Sequence, residues 1–424
     1  METNHDYFER KHAELALIAQ CLGGTSCPRP RTIEEVIETK FRLGAALRAR
    51  HALQAWRNTQ TNWKAGAPLR SGPFEFAYRY QRADLTVTGP GPYGYIERGV
   101  NTYVEGPVYT GSGMAAISAL LLAVASREAS ILVHLPGCYK ETLEFAASHA
   151  GLRTFSLEQN SGNWPPGHRI ILWLDMPPPF EQSERYLYNC AEAADLVVFD
   201  TTGFSAQSRR ISRFLSWARR ARTPVVLVRS HTKLDSLGIE YGRLGSAMFL
   251  AFPEVSLAKV TRWRKTASRT RELVRLLGSA ALPAQFCPFI GSPAYWKLSS
   301  RRSAAMLRNG LSVVHILTQR FGGPAVRRYA HGMFTALVPP SSWSEMEAAG
   351  EAELLAASLA RGGLPIRHAG SFGFDFVAIE GFFDTDANQH LLRVAMADLP
   401  SPICARVTDG ILDWWAQRWR SRAA

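Results

Sequence analysis

The chain has 424 residues, 46% of them hydrophobic, with 49 Lys and Arg against 36 Asp and Glu for a formal net charge of +13. That length buries a large core and implies two domains or more, while the absence of any run of eighteen apolar residues leaves no membrane span to expect. The six cysteines, at 21, 27, 138, 190, 287 and 404, include no Cys-x-x-Cys and have no histidine-rich partner, so neither a zinc site nor a disulfide framework is expected. Reduced thiols, and an N-terminus without the basic-then-apolar order of a signal peptide, point to the cytoplasm.

In chain order, Asp6 to about Cys21 and Thr32 to about Asn58 read as basic helices, the second opened by a capping box at Thr32-Ile-Glu-Glu. A loop rich in Gly, Pro and Tyr runs from Ser71 to Gly106. Alternating strands and helices from about 109 to 250 predict a mostly parallel sheet. An amphipathic helix from Val255 to about Leu277 then leads to a smaller region. That region mixes strands at Met333–Val338, Phe374–Ile379 and Leu391–Ala397 with helices at Ser344–Arg361 and Arg406–Trp419.

Four segments carry candidate chemistry. The turn Gly111-Ser-Gly-Met runs straight into a helix rich in Ala and Leu. Ser112 is a natural N-cap there, and glycine lets backbone N–H groups approach a phosphate; a well-capped core helix is the other reading. Tyr139 heads the next helix, placed to lie against a planar ring or simply to pack with its hydroxyl wet. Asp200 ends the apolar strand Leu196-Val-Val-Phe, where α/β enzymes keep their ligands, although a turn role before Thr201-Thr202-Gly203 fits as well. Lys233 follows the apolar strand Val225–Ser230, with Ser230 and Thr232 close by. An amine there forms a Schiff base to an aldehyde cofactor whose phosphate the hydroxyls hold, or it snorkels to solvent.

Taken in order, these motifs resemble the fold-type-I pyridoxal-phosphate (PLP) enzymes, most closely the cysteine/methionine-metabolism group. Ser112-Gly113-Met114 matches the phosphate turn, Tyr139 with Thr142 the ring-stacking tyrosine, Asp200-Thr201-Thr202 the pyridinium partner, and Ser230-His231-Thr232-Lys233 the cofactor lysine. Gly370-Ser371-Phe372 and Leu391-Leu392-Arg393 resemble the segments that bind the substrate carboxylate. The resemblance covers about residues 85 to 424. It implies a three-layer α/β PLP-dependent transferase fold, with a mostly parallel sheet flanked by helices. It also implies a smaller α+β C-terminal domain and a helical N-terminal arm, divided as 1–84, 85–270 and 271–424. By the same resemblance the cofactor is pyridoxal 5'-phosphate, the substrate an L-amino acid, and the assembly a homodimer or homotetramer with shared active sites. Lys233, Tyr139 and Asp200 are then the catalytic residues. Ser112, Gly113, Met114, Thr202, Ser230, Thr232 and Arg243 complete the cofactor site, and Arg393, Ser371, Tyr93 and Arg98 bind substrate.

The chain departs from the family in places. Asp175-Met-Pro-Pro-Pro stands where the family has Glu-Thr-Pro-x-Asn, so Pro179 replaces the Asn that bonds the cofactor's phenolic oxygen. Tyr93 and Arg98 match the arm motif with altered spacing. Arg243, after Lys233, is closer to an aminotransferase phosphate arginine. Elimination or replacement at the substrate's β or γ carbon is therefore the expected chemistry, with transamination as the alternative. Basic clusters at Arg209–Arg222 and Arg262–Arg275 also raise nucleic-acid binding, as does the alternative reading of a PLP fold without turnover, but solvated helix faces account for them equally well and an intact Lys233 argues for catalysis.

Overall fold

The computed structural model describes residues 2–24, 27–57, 69–78, 85–93, 102–125, 130–135, 138–157, 164, 167–175, 190–329, 331–385 and 387–423. The chain divides into two compact units. Arg48–Thr232 with Tyr241–Ser292 makes one, and Met1–Leu47 with Lys233–Glu240 and Pro293–Ala424 the other. This differs from the three expected segments in two ways. The first helices belong with the C-terminal residues, and the crossing after the sheet falls at 292/293 rather than 270/271.

The first unit begins with three short antiparallel strands, β1 (Leu69–Ser71), β2 (Phe74–Tyr78) and β3 (Leu85–Thr88). The second and third lie inside the stretch expected to be loop. Alternation explains them: Phe74 and Phe76 point inward against Phe286, with ring centroids 5.0 and 4.9 Å away. The main sheet follows, with β4 (Tyr103–Thr110), β5 (Ser130–His134), β6 (Leu152–Ser156), β7 (Arg169–Leu174), β8 (Leu196–Asp200), β9 (Val225–Ser230) and β10 (Gly245–Ala251). Their order is β4-β10-β9-β8-β7-β5-β6. Only β10 runs antiparallel to its neighbours. The residues Leu196-Val-Val-Phe and Val225-Val-Leu-Val are buried throughout, as expected for strands covered on both faces. Helix Gly113–Ala125 packs on helix Leu257–Leu276 and on β9 and β10. Phe214 of helix Arg209–Arg220 packs against Phe199 of β8, with ring centroids 4.4 Å apart.

The second unit holds β11 (Val326–Arg328), β12 (Phe334–Leu337), β13 (Ile366–His368), β14 (Val377–Asp384) and β15 (Gln389–Ala395), in the order β11-β12-β15-β14-β13. Helix Glu345–Arg361, opened by the Ser344/Glu347 capping box, covers β13 and β14. Helices Pro293–Phe321 and Ser401–Ala423 close the core around Trp343 and Trp415. The 29-residue helix Pro293–Phe321 was not anticipated from sequence. Its buried face carries Arg302, Ser303 and Asn309 among the apolar residues, which blurs the 3.6-residue pattern.

Of these, Arg302 belongs to a charge cluster confined to this unit. Arg10, Lys11, Lys40 and Arg302 meet Glu14, Asp375 and Asp398, all nearly sealed from solvent. Lys11 Nζ lies 3.0 Å from Glu14, 2.5 Å from Asp375 and 2.6 Å from Asp398, so an ammonium fills the space between the three carboxylates. Two of the cations also reach main chain: Lys40 donates to Leu237 O at 2.6 Å and Arg302 to Gly373 O at 2.8 Å. The cluster thereby ties the two N-terminal helices to the turn after Lys233 and to the loop after Ser371.

Candidate active site

In the first unit, the predicted cofactor residues gather where β8 and β9 end. Ser112 caps its helix, accepting from Ala115 N at 3.0 Å. A Cβ on Gly113 would stand 2.9 Å from the Ser230 Cβ, so only glycine lets this helix N-terminus come up against the end of β9. Thr202 Oγ1 accepts from Ser230 N at 2.9 Å, and Asp200 Oδ1 accepts from Thr202 N at 2.8 Å. Arg229 fixes the turn that follows, donating to Thr201 O at 2.6 Å and Phe204 O at 2.8 Å. Met114 and Thr232 are half-buried, and Thr232 Oγ1 donates to Gly242 O at 3.2 Å. Arg243 is exposed, just ahead of β10.

Tyr139 is the N-cap residue of helix Lys140–Ala147, with its ring exposed. Its backbone N–H donates to Asp175 Oδ2 at 2.6 Å, and Cys138 Sγ donates to the same oxygen at 3.2 Å. Burial and the nearby charge of Asp200 push the Asp175 carboxyl up to about 7. Asp200 is raised too, chiefly by desolvation, with the Thr202 hydrogen bonds and Arg229 pulling the other way. A carboxyl whose folded pKa is raised binds more protons folded than unfolded, so stability falls as pH rises between the two values. We expect Asp175→Asn, compared with wild type by thermal melting, to gain relative stability as pH rises from about 4 to about 7. A difference that stays flat over that range would show that Asp175 is not the strained group.

Tyr93, expected at the substrate, is instead fully buried in this unit. Its hydroxyl bonds to Thr201 Oγ1 and its ring lies under Arg229, with the guanidinium carbon 6.0 Å from the centroid. Arg98 and Pro179 lie outside the described residues.

The second unit holds the other predicted residues. Lys233, half-buried, donates from Nζ to Ser371 Oγ. Ser371 has φ +99, a left-handed conformation that a non-glycine residue adopts only at a cost of about 1–3 kcal/mol. Its N–H donates to Glu380 Oε1 at 3.2 Å, and Glu380 is ion-paired with Arg393. Lys233, Ser371, Glu380 and Arg393 thus form one hydrogen-bonded run. Arg367, another arginine of this unit, is engaged by Glu34 at 2.6 Å and lies over Phe376.

No family model and no curated protein matches the chain by sequence. Solved structures do match. Cystathionine gamma-lyase from yeast is similar with a TM-score of 0.50 at 14% identity, over 73% of this chain and 81% of that one. A putative O-acetylhomoserine (thiol)-lyase from Campylobacter jejuni, solved with a pyridoxyl-lysine monophosphate, is similar with a TM-score of 0.50 at 14% identity, over 72% and 80%. The fold is that of the fold-type-I PLP enzymes. The expected mostly parallel α/β architecture with a smaller α+β region is therefore borne out. Within this fold-type-I frame, Glu380, Asp175 and Arg229 went unassigned from sequence. Arg229 did leave a signal, a charge inside an apolar strand; Glu380 and Arg393 become neighbours only through pairing of β14 with β15.

Proposed function

We propose that this chain is a PLP-dependent enzyme acting on an L-amino acid, by elimination or replacement at the β or γ carbon of the side chain. The observation that carries the reading is the pair Asp200 and Gly113-Ser230. A carboxylate with raised pKa stands at a strand end, in the same unit as a helix N-terminus, capped by the Ser112 hydroxyl, that abuts Ser230. A planar, phosphate-bearing, protonated heterocycle satisfies both ends, because the helix terminus suits a dianion and the carboxylate suits a cationic ring nitrogen. Bound there, pyridoxal phosphate supplies an electron sink for negative charge at the substrate's Cα.

In this reading the protein residues divide the work. The N–H groups of Gly113 and Met114, with the Ser112, Ser230 and Thr232 hydroxyls and Arg243, hold phosphate. Tyr139 would help hold the cofactor ring, while Asp200, braced by Thr202, would keep a proton on its nitrogen. Lys233 holds the cofactor covalently and moves the proton at Cα. Arg393 takes the substrate α-carboxylate in a two-pronged hydrogen bond beside Ser371. The reading extends to a cytoplasmic homodimer or homotetramer with shared active sites, in which Arg98 belongs to the arm near the substrate.

The test is direct. Pure protein reconstituted with pyridoxal phosphate should turn yellow, and borohydride should fix the label on the Lys233 peptide. An amino-acid panel, read separately for keto acid, ammonia and amino transfer to pyruvate, should give keto acid and ammonia; amino transfer alone would replace this chemistry with transamination. Protein that takes up no cofactor would overturn the proposal.

A further inference from the structure

Arg393 does not stand open for a carboxylate, because it already carries one. Glu380 and Arg393 are directly opposed residues of β14 and β15, and their side chains form an ion pair. The guanidinium lies over Phe334 and Phe382, 4.8 and 5.3 Å from their centroids. Glu380 is held from a second side by the Ser371 N–H at 3.2 Å. Its other carboxylate oxygen lies 2.8 Å from where a Cβ at position 370 would stand, so the glycine there leaves room for this carboxylate. The pair is neither sealed nor bare, with side chains 13% and 22% exposed. The pair to Glu380 is made through Arg393 Nη2, a nitrogen that a two-pronged seat for an incoming carboxylate also uses, so the two carboxylates compete for it.

Given that Arg393 is the substrate anchor, we propose that Glu380 is the specificity-determining residue of this site. It is an internal carboxylate that an incoming one must displace. Neutral amino acids gain little from the exchange, because a displaced Glu380 keeps only the Ser371 N–H as its partner from this group. A substrate bringing a second cationic group gives Glu380 a new partner, so diamino acids are favoured over neutral ones. Glu380→Gln keeps the size and the acceptor for Ser371 N–H but removes the charge.

The experiment uses cofactor-free protein, propionate as a bare carboxylate, and an arginine-specific dicarbonyl reagent read at the Arg393 peptide. Arg393 should react about tenfold faster in Glu380→Gln, and propionate should protect the variant at about one-tenth the concentration that wild type needs. Glu380→Asp, which retains the charge, should behave like wild type. A second measurement needs no variant: in wild-type protein, propylammonium should lower the propionate concentration required for protection. In the loaded enzyme, the preference in kcat/KM for a diamino acid over alanine should fall about tenfold in Glu380→Gln. Equal protection of wild type and Glu380→Gln by propionate, or no protection of either, overturns the proposal. Failure of the functional reading appears separately, as absence of cofactor uptake at Lys233.

Discussion

Lys233→Ala protein is expected to stay colourless after incubation with pyridoxal phosphate and gel filtration. It should turn over amino acids at least a thousandfold more slowly than wild type, a loss of about 4 kcal/mol of transition-state stabilisation. The fold should tolerate the change. The Lys233 side chain is half-buried and donates to the Ser371 hydroxyl, while the turn behind it is anchored through main chain, Leu237 O receiving the Lys40 ammonium at 2.6 Å. Thermal melting should therefore move little, as for most substitutions away from sealed cores. A mutant that still binds the cofactor covalently and reacts normally would place the chemistry on another lysine.

Asp375→Asn should act on stability instead. Asp375 Oδ1 lies 2.5 Å from Lys11, 2.6 Å from Arg302 and 3.1 Å from Lys40, at 3% exposure. Removing one partner of a buried ion cluster leaves uncompensated charge and costs about 3–5 kcal/mol, a large share of the roughly 5–15 kcal/mol that holds a domain folded. The same cations hold Leu237 O and Gly373 O, so cofactor uptake should weaken even where the variant remains folded. These cations hold the Asp375 carboxyl well below its ordinary value of 3.8, overcoming the desolvation that opposes them. Its stabilising contribution is therefore complete above that ordinary value and is lost on acidification below it. A variant melting with wild type by calorimetry would show that the cluster adds nothing net.

The sequence disclosed those parts of the molecule whose signals are local. The apolar strands ending in Asp200 and Ser230, the glycine turn at 111–113 and the helix opening at Ser344 each announce themselves within a few residues, and each forms as read. The second helix matches less closely: Thr32 accepts from Glu35 N at 3.1 Å, but Glu35 reaches back to the N–H of Arg31 rather than of Thr32. What stayed hidden depends on residues far apart in the chain. Arg10, Lys11 and Glu14 occupy the buried face of helix Asn4–Gln20 alongside Tyr7, Leu15 and Ile18. From sequence they read as a solvated basic helix, because their partners Asp375 and Asp398 lie more than 360 residues on. Glu380 was passed over for the same reason, its meaning arising from strand register rather than from any motif.

The interleaving of the two units sets an order on their birth. A ribosome delivers chain from the N-terminus, and domains fold as their parts emerge. Residues 48–292 emerge as one nearly continuous block broken only by Lys233–Glu240, so the seven-stranded sheet can assemble while synthesis continues. The helices of Met1–Leu47 cannot settle with it. Their charged face waits for Asp398, synthesised 388 residues after Arg10, and until then Arg10, Lys11, Glu14 and Lys40 must remain in water. The Lys233 turn waits with them, since Lys40 holds it only once that cluster closes. A nascent or truncated chain ending before Asp398 should therefore carry a folded sheet and an unset lysine, so that competence for chemistry arrives last, with the final helix.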